Sequence, residues 1–253
     1  MLKTRVMPCL LLRGHGLVKT VNFKNPKYVG DPVNAVRIFN EKEVDELIFL
    51  DIDATTESRS PSFQMISDIA TECFMPVVYG GGIRDLDDAK KIFSLGVEKI
   101  AINTYAVENP DFIRQAADMF GSQSIVVSID VKKISTGKYR VCTNGINNLT
   151  NIDPIEHAEH MLELGAGEIL LTSIDLDGTF SGYDLELIER VVNVVTIPVI
   201  ACGGAGKIED FSLATKQSGA SAVAIGSMAI YQGPHRAVLI NFPSKKDLKE
   251  ILD

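Results

Sequence analysis

Val78-Tyr79-Gly80-Gly81-Gly82-Ile83, followed by Ile100-Ala101-Ile102-Asn103-Thr104, is a two-part pattern that returns 123 residues later, Gly80 recurring as Gly203. There it reads Ala201-Cys202-Gly203-Gly204-Ala205-Gly206, then Val223-Ala224-Ile225-Gly226-Ser227. Each copy is an apolar run of strand length ending in glycines, then a helical segment, then a second apolar run ending in small polar residues. Glycine lets backbone N–H groups approach an oxyanion closely, a helix N-terminus adds partial positive charge, and Asn, Thr or Ser supplies further donors. Both ends can therefore hold a phosphate, and the chain is expected to be a two-fold barrel gripping a molecule with a phosphate at each end.

Outward from these two copies, strand-like runs occur near 5–12, 46–51, 75–79, 98–102, 125–130, 168–172, 197–202 and 221–225. Between them Asp31-Pro32, Asp85, Asn109-Pro110, Asp153-Pro154 and Asp184 offer helix-capping oxygens, and Gly96, Gly121, Gly165 and Gly219 lie near the matching stops. Strands that are β-branched and almost continuously apolar, alternating with helices, pair in parallel beneath a helical layer. Phe49-Leu50-Asp51-Ile52-Asp53 aligns with Leu171-Thr172-Ser173-Ile174-Asp175 at an offset of 122, so two four-strand halves are expected to close. A length of 253 residues fits one (β/α)8 barrel, usually about 250 residues, and a single domain over 1–253 is expected. An open doubly wound sheet is the rival; it offers one crevice rather than two matched ends.

A net charge of −8 without a basic block argues against nucleic acid and anionic membrane surfaces as partners. No run approaches the ~18 apolar residues that span a bilayer, and the N-terminus lacks a signal peptide's apolar region, so a cytoplasmic protein is expected. Cys9, Cys73, Cys142 and Cys202 form no C-x-x-C pair and read as reduced thiols. His157 and His160, three apart, either share a helix face that binds a metal or lie on a solvated one; no further ligand motif is nearby, and no metal or cofactor is expected. Residues 131–150 read as a small hairpin over the barrel mouth or as a disordered lid. Tyr231 to Pro243 is an insert, before a last helix capped by Ser244, that pattern alone does not assign.

Arg5, Glu46, Lys99 and Glu168 stand at the N-terminal edges of strands 1, 2, 4 and 6. Stepping by two from Lys99 reaches Ala101 and Asn103, so Lys99 shares the inward parity of that Asn. Four such charges either form a paired ring at the barrel floor, where unpaired ions are expensive, or are exposed charges at strand starts.

With Pro8-Cys9-Leu10, Gly30-Asp31-Pro32, Glu46 to Asp51, the Gly80 to Ile83 turn, Phe120-Gly121-Ser122-Gln123, Gly165 to Asp175 and the Ile174 to Asp184 run (IDLDGTFSGYD) in hand, the chain resembles the HisF-type cyclase subunit of imidazole glycerol phosphate synthase. The resemblance runs from residue 1 to about Ser227. It implies that a HisH-type glutaminase docks at the N-terminal face and that ammonia crosses the barrel to a phosphorylated small-molecule substrate at the C-terminal face. Carried over, Gly82, Asn103 and Thr104 hold one phosphate, Asp177, Gly178, Gly204, Gly226 and Ser227 frame the other, and Lys19, in the first βα loop, contacts the substrate. Arg5, Glu46, Lys99 and Glu168 match the family's ammonia gate.

One departure bears on the chemistry. The family closes its ring with two aspartates as general acid and base; the second is present as Asp130, whereas Leu11 occupies the place of the first. Leucine carries no proton, and losing such a group typically forfeits ~10²–10⁴ in rate. His15, in the flanking Arg13-Gly14-His15-Gly16, is a candidate substitute. Together, gate, cradles and Leu11 resemble the divergent cyclase-like proteins that work with a glutamine amidotransferase to turn an acetamido group of a surface-polysaccharide (O-antigen lipopolysaccharide) sugar into an acetamidino group. The alternatives are the cyclase subunit of histidine biosynthesis and a non-catalytic barrel that activates a glutaminase. No Cys-His-Glu triad is evident in this chain, so the glutaminase is expected to be a separate partner in a heterodimer.

Overall fold

The computed structural model describes residues 4–252. Eight parallel strands form the frame: β1 (Arg5–Arg13), β2 (Leu47–Asp51), β3 (Val77–Gly80), β4 (Lys99–Ile102), β5 (Ile125–Lys133), β6 (Glu168–Ser173), β7 (Val199–Cys202) and β8 (Ala222–Ile225). Each pairs with the next in sequence, and β8 returns to β1 with Arg5 opposite Ala222, so the sheet closes and the open-sheet alternative is ruled out. This is a (β/α)8 barrel. Helices between the strands start where capping oxygens were expected: Asp31, Asp85, Asp153 and Asp184 each accept a backbone N–H of the first helical turn. Asn109 does not cap; its amide donates to the Tyr105 hydroxyl at 3.2 Å, and the helix Asp111–Phe120 begins after Pro110 without a side-chain cap.

Side chains alternate along a strand, so every strand sends one set inward and the other toward the helices. The outward set builds the large core with the helices, Phe39, Phe49, Tyr79 and Phe211 being wholly buried in it. The inward set fills the cylinder with Met7, Ile48, Val78, Val126, Leu170 and Ile200. That interior layer has a charged row on one side and a functional row on the other. Stepping by two, β1 reads Arg5, Met7, Cys9, Leu11; β2 with its preceding residue reads Glu46, Ile48, Leu50; and β6 reads Glu168, Leu170, Thr172.

The half-barrel repeat is also backbone geometry. Gly81, at φ +121, packs so tightly that a Cβ would lie 2.5 Å from the Asp51 carbonyl oxygen, and Gly203, at φ +88, would meet the Ser173 carbonyl at 2.6 Å. Both residues of the second pair lie 122 positions after those of the first.

Three additions stand on the C-terminal rim. β1 runs past the barrel and turns at Gly14-His15 into Gly16–Val21, which pairs with Lys24–Gly30. Residues 131–150 are an ordered ribbon: β5 continues to Lys133, and Tyr139–Thr143 pairs with it and with Asn148–Leu149. The insert folds Tyr231–Gln232 against Ala237–Val238. His157 is buried and His160 is exposed, so the two do not share a metal-binding face. No helix among the described residues is long and apolar enough to cross a membrane.

Candidate functional site

At the C-terminal mouth the last inward residues of the strands surround a cavity of about 310 Å³. Its walls differ. Leu11 and Leu50 are register partners on β1 and β2, both pack on the inner core, and with Gly80 and Ala101 they make one side apolar. Across from them stand Asn103, Ser128, Asp130 and Thr172, from β4, β5 and β6 and the residue after β4.

Asp130 is the carboxylate this environment alters most. Burial pushes its pKa up to about 7; the Asp177 charge adds to the rise and a hydrogen bond with Thr172 opposes it. A carboxyl near 7 can give or take a proton at neutral pH. Asn103 aims it, donating from Nδ2 to Asp130 Oδ2 at 3.3 Å and to the Ser128 carbonyl at 3.0 Å. Asp51, by contrast, is pinned by the two terminal guanidinium nitrogens of Arg59, at 2.9 and 3.0 Å, and belongs to the frame.

Lys19 is buried and its ammonium donates to the Cys9 carbonyl at 2.5 Å; burial holds its pKa below the ordinary lysine value. It was expected in a loop. It lies instead in the strand Gly16–Val21, whose pairing fixes the side chain over the mouth. The next residue, Thr20, donates its hydroxyl to Asp177 Oδ2 at 3.0 Å, and burial raises the Asp177 pKa against the pull of Lys19.

The two glycine loops face each other across the cavity. On one side Gly82 lines it next to Asn103 and Thr104. The Thr104 hydroxyl donates to Asn103 Oδ1 at 3.1 Å and accepts the Asn144 backbone N–H at 2.9 Å, which ties the 139–149 ribbon over this end. On the other side Gly178, Gly204, Gly226 and Ser227 line it. Gly204 cannot be replaced freely: at φ +110 a Cβ would lie 2.0 Å from the Gly182 carbonyl, whose own N–H donates to the Gly204 carbonyl at 2.9 Å. Gly204→Ala is expected to lose ~3 kcal/mol or more of stability through clash and left-handed backbone strain. Gly14→Ala, with φ +58 but open space around it, is expected to lose only about 1–2 kcal/mol; urea midpoints of the two variants check the contrast.

At the opposite, N-terminal end the four charged residues meet. Arg5 reaches Glu46 at 2.5 Å and Glu168 at 2.6 Å, and Lys99 reaches Glu46 and Glu168 at 2.9 Å each. Positive and negative alternate around a closed ring, so the exposed-strand-end alternative does not hold. Three corners meet hydrogen-bond geometry; at the fourth the Lys99 ammonium stands 2.9 Å from the buried Glu46 Oε1 at a poorer angle.

His15, the candidate proton carrier, is exposed on the Gly14-His15 turn and does not line the cavity. Among the described residues no group of three or more His, Cys, Asp or Glu side chains is arranged to hold a metal, and all four cysteines are free thiols. Sequence reasoning missed Thr20 and Asn144, whose partners lie 157 and 40 residues away, and Arg59, whose partner Asp51 is only 8 residues back across a loop. The two-residue Gly14-His15 turn between two strand-like runs was the available signal for the first ribbon.

Comparison with known proteins agrees with this geometry. A family model described as "Histidine biosynthesis protein" matches residues 5–236. A protein of Pseudomonas aeruginosa is 53% identical over 98% of this chain and 99% of its own length. One of Leptospira interrogans is 48% identical over 100% and 99%, and one of Vibrio vulnificus 46% identical over 100% and 98%. Their names all begin "Putative imidazole glycerol phosphate synthase subunit" and end hisF2, HisF and hisF3 respectively. With the closed barrel, the matching family model and these relatives together, the chain belongs to the histidine biosynthesis protein family, within its HisF-type cyclase subunits of imidazole glycerol phosphate synthase.

Proposed function

We propose that this chain is the ammonia-using synthase subunit of a two-component glutamine amidotransferase, and that it amidates a phosphate-bearing sugar for surface-polysaccharide synthesis. The observation that carries this reading is the pairing of ends: a closed charged ring at the floor and a carboxyl of pKa about 7 at the mouth of the same cylinder. Arg5, Glu46, Lys99 and Glu168 serve as the gate. An ammonia molecule is small, neutral and a donor, and the ring's two carboxylates, Glu46 and Glu168, are acceptors along its way. A HisH-type glutaminase supplies the ammonia at this floor, in a heterodimer.

At the mouth, Gly82 with Asn103 and Thr104, and Asp177, Gly178, Gly204, Gly226 and Ser227, hold the substrate's anionic ends, with Lys19 over them. When ammonia adds to the acetamido carbon, the amide oxygen must leave as water for the amidine to form, so that ammonia plus acetamide gives acetamidine plus water. The added nitrogen must also shed a proton. Asp130, oriented by Asn103, takes it. Leu11 and Leu50 offer no second proton carrier on the facing wall, which favours one-sided proton transfer over ring closure between two aspartates. It also favours an acceptor with an apolar group on that side, such as the methyl of an acetamido group, because a hydroxyl pressed there would lose its hydrogen bonds.

The names of the relatives favour a second reading, cyclase activity in histidine biosynthesis. The two part in one assay with a glutaminase present: formation of an amidino sugar phosphate from its acetamido precursor supports amidation, and turnover of the ribulosyl bisphosphate substrate of the cyclase supports the second. The glutaminase is expected to co-purify one-to-one with this chain. Unaided glutamine hydrolysis by the pure chain would contradict the division of labour.

A further inference from the structure

The insert after β8 carries an arginine that the proposed chemistry leaves unused. Its ribbon is tied to the short helix Ser227–Ile230 by the Leu239 N–H to the Ile230 carbonyl, at 2.9 Å, and the Asn241 N–H to the Ala229 carbonyl, at 2.8 Å. The turn of that ribbon delivers Arg236. The guanidinium carbon lies 5.0 Å from the centroid of the Phe180 ring, and Nη2 donates to the Gly178 carbonyl at 3.3 Å.

Both partners of this stack are held in left-handed backbone, Arg236 at φ 51 and Phe180 at φ 64. A bulky side chain adopts that region only against a steric penalty, and such strain persists where surrounding structure enforces it, often at ligand sites. The enforcement is visible. A Cβ on Gly206 would lie 2.3 Å from the Phe180 carbonyl oxygen and one on Gly204 would lie 2.0 Å from that of Gly182, so the loops after β6 and β7 are locked backbone to backbone. Arg236, from the loop after β8, is stacked on their outer side.

The distribution of cations gives this arginine a role. The lysine and arginines that line the cavity are Arg13, Lys19 and Arg84. Arg13 is paired with Asp53 at 3.0 Å, Lys19 is spent on the Cys9 carbonyl, and Arg84 follows Gly82 and Ile83 at the opposite loop. The end framed by Gly178, Gly204 and Ser227 has Lys19 as its lining cation, the ammonium 3.2 Å from where a Cβ on Gly226 would stand and already held by the Cys9 carbonyl. Arg236 is exposed, just outside that end, and its guanidinium donates to a neutral carbonyl, in a chain whose net charge is −8.

We propose that Arg236 binds the outer phosphoryl group of a diphosphate ester whose inner phosphoryl group sits against the loops of Gly178, Gly204 and Ser227. This rests on the reading above that the loops receive a phosphate. Gly178 and Gly204 line the cavity, whereas Arg236 does not. Gly178 belongs to both sides, lining the cavity and accepting from Arg236, so two phosphoryl groups in tandem, one against the loops and one beyond them, place the second beside the guanidinium. The planar fork of arginine, fixed on an aromatic face, presents paired donors to the second group.

Titration calorimetry of the full chain with inorganic phosphate and with pyrophosphate tests this, in the unaltered protein, in Arg236→Ala and in Arg236→Lys. Pyrophosphate is expected to bind the unaltered protein on the order of tenfold tighter than phosphate, the worth of added hydrogen bonds to a charged group. Arg236→Ala is expected to erase that preference and leave phosphate affinity unchanged; Arg236→Lys, a point charge without the fork, keeps part of it. Phosphate binding with no pyrophosphate preference, or equal loss of both anions in Arg236→Ala, overturns the role of Arg236 alone. Failure of both anions to bind the unaltered protein overturns it together with the phosphate-loop reading.

Discussion

Asp130→Asn is expected to do two opposite things: abolish most turnover and make the protein more stable above neutral pH. Turnover with glutamine and acceptor should fall by ~10²–10⁴, because asparagine keeps the shape and the contact with Asn103 but cannot exchange the proton. The stability gain follows from linkage. The ordinary aspartate value is 3.8, and in the folded chain Asp130 is raised to about 7. Between those values the folded state holds a proton that the unfolded state has lost, so wild-type stability falls as pH rises through this window. Above pH 7 the full penalty of a buried carboxylate is present, and the amide, which is never charged, escapes it. The variant should therefore gain roughly 2–4 kcal/mol at pH 8 and nothing near pH 4. Urea unfolding at the two pH values, with turnover at pH 8, checks both halves. A variant that lost activity and stability together would mean that Asp130 is a structural carboxylate.

The charged floor should respond more severely than any surface ion pair. Glu168 is 7% exposed and accepts from Arg5 at 2.6 Å and from Lys99 at 2.9 Å, so Glu168→Ala takes one carboxylate from each of two cations and leaves Glu46 alone to balance both. Breaking a buried pair by removing one partner typically costs 3–5 kcal/mol, much of it the penalty of the ion left behind, and roughly that loss is expected here. Arg37→Ala breaks the exposed pair with Glu72 and is expected to leave the denaturation midpoint unchanged. The functional consequence is separable. With the glutaminase bound, a ring variant that still folds should lose glutamine-driven transfer while keeping transfer driven by high ammonium, since Asp130 and the cavity lie at the other end of the barrel.

How much of this was legible in the residues follows from how local each feature is. The step of two from Lys99 through Ala101 to Asn103 placed a floor charge and a mouth residue on one inward row, and the same step from Glu168 reaches Leu170 and Thr172. The caps at Asp31, Asp85, Asp153 and Asp184 were equally local, each depending on a backbone N–H two or three residues on. The ring was legible only as a choice between a paired floor and scattered charges, because nothing in one strand says how far its neighbour's side chain reaches.

What escaped depended on distant partners. The raised pKa of Asp130 arises from enclosure by several strands, and the role of Asn103 in aiming it joins residues 27 apart. Lys19 was placed in a loop because the two-residue turn at Gly14-His15 was not recognised as a hairpin. The stack of Arg236 on Phe180 links positions brought together by two left-handed residues of types that rarely adopt that backbone. Composition could not anticipate it.

The most direct measurement is isotopic. This chain, a HisH-type glutaminase and a phosphorylated acetamido sugar are mixed with amide-¹⁵N glutamine in an excess of unlabelled ammonium, and the product nitrogen is read by mass spectrometry. Ammonia passed through the charged floor to Asp130 never mixes with the solution, so the product should carry the ¹⁵N of glutamine. A product whose nitrogen matches the bulk ammonium, or no amidated product at all, would contradict the account.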